Sequence, residues 1–148
     1  MTIDMKYQYF IASRWRNKEL VIDLVRKIRE RGKTVYSFIE GDGRDYELKA
    51  KEVSHDPEAF MKHYESIPEW RNSPAVREIF DVDMDSLKQS ETLILLLPSG
   101  KSAHIEAGVA FGSGKKLILI GEQKETESLY LIFNEVYPTI DEFVNSLR

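Results

Sequence analysis

Two carboxylates in this chain keep unusual company. Asp83 lies three and four residues after Phe80 and Ile79 and four before Leu87. On a helix that spacing makes it border or interrupt an apolar stripe that also takes in Val76 and Met84. A carboxylate there is costly unless it is hydrogen-bonded or paired. Asp83 is therefore either a loop-tying acceptor or a group held for chemistry. Glu106 follows Ser99-Gly100-Lys101-Ser102 and sits among the small residues Ala107, Gly108 and Ala110. Those small residues let a helix pack close to a sheet and bring Glu106 near the loop. The loop offers amides, hydroxyls and a cation beside a helix start, which suits a phosphate or carboxylate. The spacing places Glu106 in about the first turn. There the positive helix end is expected to hold it ionised, as a nucleophile requires. The plain alternative is a favourable dipole contact with no further role.

Other chemistries fail on spacing. Ser99-Gly100-Lys101-Ser102 resembles a phosphate-binding loop, but the position that needs its first glycine holds Leu95. Gly112-Ser113-Gly114 lacks the third glycine of a dinucleotide fingerprint. Asp81, Asp83 and Asp85 mimic the start of a calcium loop, yet Ser86 replaces its glycine and Thr92 its closing glutamate. His104-Ile105-Glu106 matches part of a deaminase zinc motif, whose cysteines are missing because the chain has none. No metal and no cofactor is expected. The absence of cysteine also removes disulfides and thiol nucleophiles, and suits a reducing cytoplasm. A formal charge of −4 argues against a nucleic-acid polymer as partner. No apolar run approaches the length of a membrane span, and the first ten residues lack a signal-peptide core.

The elements that position these groups alternate. The 148 residues, 42% hydrophobic and 31% charged, suit one soluble domain over 1–148. Tyr7–Ala12 reads as a strand that ends in Ser13-Arg14-Trp15-Arg16. Asn17–Arg31 reads as a helix with Asn17 as its cap and Gly32 as its stop. Thr34–Ile39 reads as the second strand. An excursion over about 41–73 holds a short helix near Pro57–Ser66. Ser73-Pro74 caps and opens a helix to about Ser90. Residues 92–97 and 117–121 are continuous apolar runs around one short helix, the pattern of strands buried on both faces of a parallel sheet. An edge strand near Val136–Tyr137 and a helix from Thr139 close the chain. The reading is an α/β domain with a mostly parallel five-stranded sheet. Its strand ends aim four polar loops at one edge, Ser13–Arg16, Gly41–Arg44, Pro98–Ser102 and Gly121–Lys124, where ligands of such sheets bind.

Read together, Asp83, Leu87, Glu91, the strand 92–97, Glu106, Gly108, Ala110 and Gly114-Lys115 resemble the pattern of the nucleoside 2-deoxyribosyltransferase family, which includes nucleotide N-glycosidases. The opening strand and its small-residue loop are similar too, so the resemblance spans roughly residues 7–121. It implies a flavodoxin-like, Rossmann-like three-layer sandwich with strand order 2-1-3-4-5. It implies that Glu106 attacks C1′ of a nucleoside or nucleoside 5′-monophosphate. It implies that Asp83 orients that nucleophile or manages the proton on the departing base. Two carboxylates about 5 Å apart would suit a retaining displacement. A second base accepting the sugar makes a transferase and water a hydrolase. The resemblance also implies a homo-oligomer.

The chain departs from the family pattern. Ser102-Ala103-His104-Ile105 replaces a glycine-containing segment before the nucleophile, and Ala12 stands where a glycine is common. Arg14, Arg16 and Lys101 are placed to meet a phosphate, or else are solvated surface charges. Trp15, and Tyr64 with Trp70 in the excursion, offer a stacking surface or a lid, or simple packing. Ser13, Ser99, Gly100, Ser102 and His104 complete the expected binding set, while His55 and His63 read as surface. A non-catalytic nucleotide or nucleotide-sugar binding module on the same fold, or a partner-binding domain with no small ligand, are the alternatives.

Overall fold

In a computed structural model, residues 5–49 and 56–148 are described; His55 lies outside them. The five strands are β1 Tyr7–Ala12, β2 Val35–Ser37, β3 Ser90–Leu96, β4 Lys116–Ile120 and β5 Glu135–Tyr137. They form one sheet in the order β2-β1-β3-β4-β5, and every pairing is parallel. The main helices are α1 Lys18–Glu30, α2 Pro57–Glu65, α3 Pro74–Lys88, α4 Lys101–Gly112 and α5 Ile140–Ser146.

Alternation along the strands sorts the core into two layers. Phe10, Ala12, Leu93, Leu95, Leu117 and Leu119 face α3 and α4, meeting Val82, Leu87, Ala103, Ala107 and Ala110. Ile11, Ile94, Leu96, Ile118 and Ile120 face the other way, onto Val21, Leu24 and Ile28 of α1 and Phe143 and Val144 of α5. The expected three-layer, flavodoxin-like sandwich is therefore present. The small residues of α4 let it lie close to the sheet, as their sequence implied.

Several boundaries differ from expectation. The second strand is only Val35–Ser37, because the amides of Glu40 and Gly41 both turn back to the Ser37 carbonyl. Asn17 does not cap α1; it ends a 3-10 turn, Trp15–Asn17, and sends its side chain elsewhere. Ser73 and Thr139 do cap, accepting from the amides of Val76 and Glu142. Phe80 was placed on the inward stripe of α3 but is 49% exposed. The buried residues of that helix are Ala75, Val82, Ser86 and Leu87. Small residues hold the helix close to the sheet, and the large ring is left outside.

Two contacts fix the opposite ends of β3 and β4. Lys115 donates to the Ser90 carbonyl at 2.7 Å and to that of Lys88, the last residue of α3, at 3.4 Å. The lysine of the Gly114-Lys115 pair thus ties α3 to the start of β3. At the other end a Cβ on Gly121, whose φ is +119°, would lie 2.8 Å from Leu97 Cβ. Glycine lets the exits of β3 and β4 run side by side. Among the described residues no helix is long and apolar enough to cross a membrane.

Candidate active site

The chain leaves β1 toward β2 on one side, and β3 then pairs on the other, so the connections diverge between β1 and β3. Such a switch point opens a crevice at the carboxyl edge of the sheet. A cavity of about 460 Å³ lies there. Ser13–Arg16 from the end of β1 and Gly100–Ala103 with Glu106 from α4 form two sides. Ile79 and Asp83 of α3, Phe38 after β2, and Phe60, Met61, Tyr64 and Glu65 of α2 form the rest. The excursion helix therefore covers the site.

Asp83 and Glu106 share this cavity, and neither is in an ion pair among the described residues. Burial pushes Asp83 up to about 6; a hydrogen bond from the Tyr36 hydroxyl, 3.1 Å from Oδ1, opposes this, and the charge of Asp42 adds to it. Glu106 is pushed well above the usual carboxylate range, first by burial and then by the charge of Asp83. This corrects the expectation of an ionised Glu106 at a helix start. It is the sixth residue of α4, in the second turn, so the loss of water outweighs the helix dipole. Two such carboxyls titrate as a unit. Both shifts favour the protonated form, so the pair holds a proton to higher pH than free carboxyls do.

The opposite wall is apolar. Trp15 packs edge-on to Phe38 at 5.3 Å and tilted on Phe60 at 4.9 Å, and Phe60 stacks on Tyr64 at 6.0 Å. Arg16 makes a two-pronged contact with Glu58 of α2, at 2.8 and 3.0 Å, with Glu65 at 3.9 Å. Aromatic contact and charge together fasten α2 over the cavity.

Known proteins share this architecture, although no family model and no curated protein sequence matches the chain. A solved 2-deoxyribosyltransferase from Bacillus psychrosaccharolyticus superposes with a TM-score of 0.65 at 16% identity, over 93% of this chain and 90% of that one. A CMP N-glycosidase from Clostridium botulinum superposes with a TM-score of 0.56 at 19% identity, over 94% and 96%. The chain has the deoxyribosyltransferase fold. The resemblance drawn from its motifs thus holds at the level of architecture.

Within that fold the expected binding residues separate. Ser13, Arg14, Trp15, Arg16, Gly100, Lys101 and Ser102 all line the cavity. Ser13 is spoken for, however: its hydroxyl donates to the Leu96 carbonyl at 2.9 Å and accepts from Asn17 at 3.1 Å. Arg16 is neutralised by Glu58, whereas Arg14 and Lys101 are exposed and outside any salt bridge among the described residues. Ser99 and His104 are not in the cavity wall. His104 Nδ1 donates to the Gly100 carbonyl at 2.8 Å, because that oxygen can only accept. Its Nε2 then accepts from the Tyr130 hydroxyl at 2.5 Å, which turns the ring toward the 3-10 segment Ser128–Ile132. Among the described residues Ser99 reaches only His104, at 3.5 Å. The loops Gly41–Arg44 and Gly121–Lys124 also stay out of the wall, and Trp70, 54% exposed, stacks with Arg71 rather than over the site.

Three contributors escaped the sequence reading. Asn17 donates to Ser13 Oγ and to the Pro98 carbonyl, so one buried amide joins the exits of β1 and β3. Tyr36 fixes one oxygen of Asp83. Phe60 supplies the centre of the aromatic wall; its place in the i, i+4 pair with Tyr64 on a proline-led helix was the available signal. Among the described residues no three His, Asp or Glu gather as metal ligands.

Proposed function

We propose that this chain breaks or transfers the N-glycosidic bond of a nucleoside or nucleoside 5′-monophosphate, as a member of the deoxyribosyltransferase-like family. One observation carries the reading: two carboxyls, without ion pairs among the described residues, face one cavity at the sheet's switch point, and burial raises the pKa of both. The neighbouring folds, a 2-deoxyribosyltransferase and a CMP N-glycosidase, supply the reaction class.

In this reading a Glu106 oxygen bonds to C1′ as the C1′–N bond breaks. The bond's electron pair leaves with the base, and Asp83 delivers the proton that the base needs; this requires that substrate binding leave the pair's proton on Asp83 and Glu106 ionised. The glycosyl ester on Glu106 is then opened by water or by a second base, whose proton returns to Asp83. Trp15, Phe60 and Tyr64 give the base a flat apolar wall. Arg14 and Lys101 border the first turn of α4, where Gly100 supplies no side-chain cap, and this edge favours a 5′-phosphate.

A second reading has its own support. A Glu106 held neutral by burial is a hydrogen-bond donor rather than a nucleophile, which is what a non-catalytic nucleotide-binding module would use. Incubating wild type and Glu106→Gln with a panel of nucleosides and 5′-monophosphates, with and without a free acceptor base, separates the two. Base release by wild type that is lost in Glu106→Gln supports the enzyme, and a requirement for the acceptor marks a transferase. Ligand-induced thermal shifts in both proteins without release support the binding module.

The homo-oligomer belongs to this proposal as well. The outer face of α4 exposes Ile105 and Val109, and a Cβ on neighbouring Gly108 or Gly112 would meet nothing. An apolar outer face suits contact with a second copy. Sedimentation of a single monomeric species would refute it.

A further inference from the structure

Tyr36 lies at the centre of β2 and is 1% exposed. Its ring stacks on Phe10 at 5.0 Å and takes Tyr7 edge-on at 5.6 Å. A buried phenol needs a partner for its hydroxyl, and here the partner is the Asp83 carboxyl that lines the cavity. Tyr36 itself is not part of the cavity wall. Other titratable groups bear on Asp83 from the elements around it: Glu106 from α4 and Asp42 from the loop after β2. Asp42 is bound to Arg44, which also reaches Asp85 at 3.1 Å. Ser86, one turn along α3 from Asp83, acts on the same phenol. No cation forms an ion pair with Asp83 among the described residues, so its hydrogen bond from Tyr36 is the contact that orients it.

A carboxyl oxygen that accepts a phenol hydrogen bond accepts it less well once it carries a proton of its own, so the proton favours the other oxygen. We propose that Tyr36 is a positioning residue: its O–H makes Oδ1 of Asp83 a standing acceptor, so that the proton Asp83 carries in the reaction sits on the other oxygen, Oδ2. The inference rests on the glycosidic reading of the site. As the C1′–N bond breaks, its electron pair goes to the base and the Oδ2 proton follows it. A Glu106 oxygen takes up C1′, and Asp83 is left as a carboxylate. The Tyr36 hydrogen bond then strengthens, because its acceptor has become charged. Tyr36 thus favours the step that deprotonates Asp83 without touching the substrate.

Tyr36→Phe keeps the ring and its aromatic contacts and removes only the hydroxyl. Two readouts decide. The first is the side-chain ¹³C titration of Asp83 in aspartate-labelled wild type and variant. The second is kcat and KM against pH on whichever nucleoside or monophosphate the wild type cleaves. The Asp83 midpoint should rise from about 6 by about one unit. The value of kcat should fall by about 10-fold or more with KM within about twofold. In an Asp83→Asn background, Tyr36→Phe should change kcat no further. An unmoved midpoint overturns the proposal, and so does a moved midpoint with unchanged kcat. A lower Tm with neither change is mere packing loss and overturns it too. Wild type that cleaves nothing in the panel refutes the glycosidic reading itself, whereas an active wild type with an unmoved Asp83 midpoint refutes only the role of Tyr36.

Discussion

Asp23 on α1 and Asp83 on α3 are the same side chain on helices that cover opposite faces of one sheet, and they titrate in opposite directions. Asp23 lies on the outer face of α1 with Lys27 at 3.0 Å and Arg26 at 2.8 Å, and these partners hold its carboxyl below the usual range. Lys27 also reaches Asp141 of α5, and Arg26 reaches Glu30, so that face is a net of mutually satisfied charges. Among the described residues Asp83 has no cation to match and a second carboxyl across the cavity, and it is pushed up to about 6. The difference lies in which groups the fold leaves uncompensated. A surface helix spends its charges on its neighbours; the cleft keeps two carboxyls whose proton is available to something that binds.

That contrast is broken most directly by removing the cleft charge. On the catalytic reading, Glu106→Gln lowers kcat for base release by at least about 1,000-fold, and Asp83→Asn by about 100-fold, because the first loses the attacking atom and the second only the proton. Chromatographic release assays measure both. Equal activity in wild type and Glu106→Gln would place the cleft carboxyls in a binding role.

Asn17 sharpens the comparison from the scaffold side. Its buried amide serves two oxygens, Ser13 Oγ and the Pro98 carbonyl, at the exits of the two strands that flank the cavity. Asn17→Ala leaves both without their donor and should destabilise the protein by about 2 kcal/mol. A chemical-denaturation midpoint reads the loss. KM should rise with it, because Arg14 and Trp15 hang from the same turn.

The pH dependence of stability follows from the raised cleft carboxyls. Their unfolded values are near 3.8 and 4.5, and both lie higher in the folded protein. Over that interval the folded state binds more protons than the unfolded one. The stabilisation is complete below the unfolded values and is lost as pH rises through about 6 for Asp83 and through the raised value of Glu106. Glu106→Gln removes the charge that must be buried, so its Tm should exceed that of wild type by about 2–4 °C at pH 8 and converge with it at pH 5. Scanning calorimetry between those limits gives the sign directly. A gap that widened toward acid would contradict the burial of Glu106.

How much of this could be read from the sequence depends on the distance over which each side chain finds its partner. The alternation of strands and helices was legible because it rests on local periodicity, the sheet order came only with the family resemblance, and the two carboxylates stood out by an apolar stripe around Asp83 and small residues beside Glu106. The electrostatic state of Glu106 was not, since its burial depends on where α3 and the excursion come to lie. The face of α3 was misjudged at Phe80, where hydrophobicity favoured burial but close packing favoured Ala75, Val82 and Ser86. Asn17 looked like a cap because caps are local; its acceptor Pro98 lies 81 residues away. Arg16 looked like a free cation because Glu58 is 42 residues on, and His104 looked available because Tyr130 is 26 residues on. Each misread polar side chain has a partner remote in sequence and near in space.

The smallest predicted effect tests the other half of the comparison. If the net on α1 is only a solvated surface, Asp23→Asn should change little. Its two partners keep other acceptors, Glu30 for Arg26 and Asp141 for Lys27, so no cation is stranded. The groups are exposed or half-exposed, and such pairs contribute little and are weakened by salt. The Tm of Asp23→Asn should therefore stay within about 2 °C of wild type, with catalytic parameters unchanged, in both low and high salt. A larger fall, or one that appears only in low salt, would mean that α1 and α5 depend on this net to hold their layer. The charges on the sheet's outer layer would then be structural.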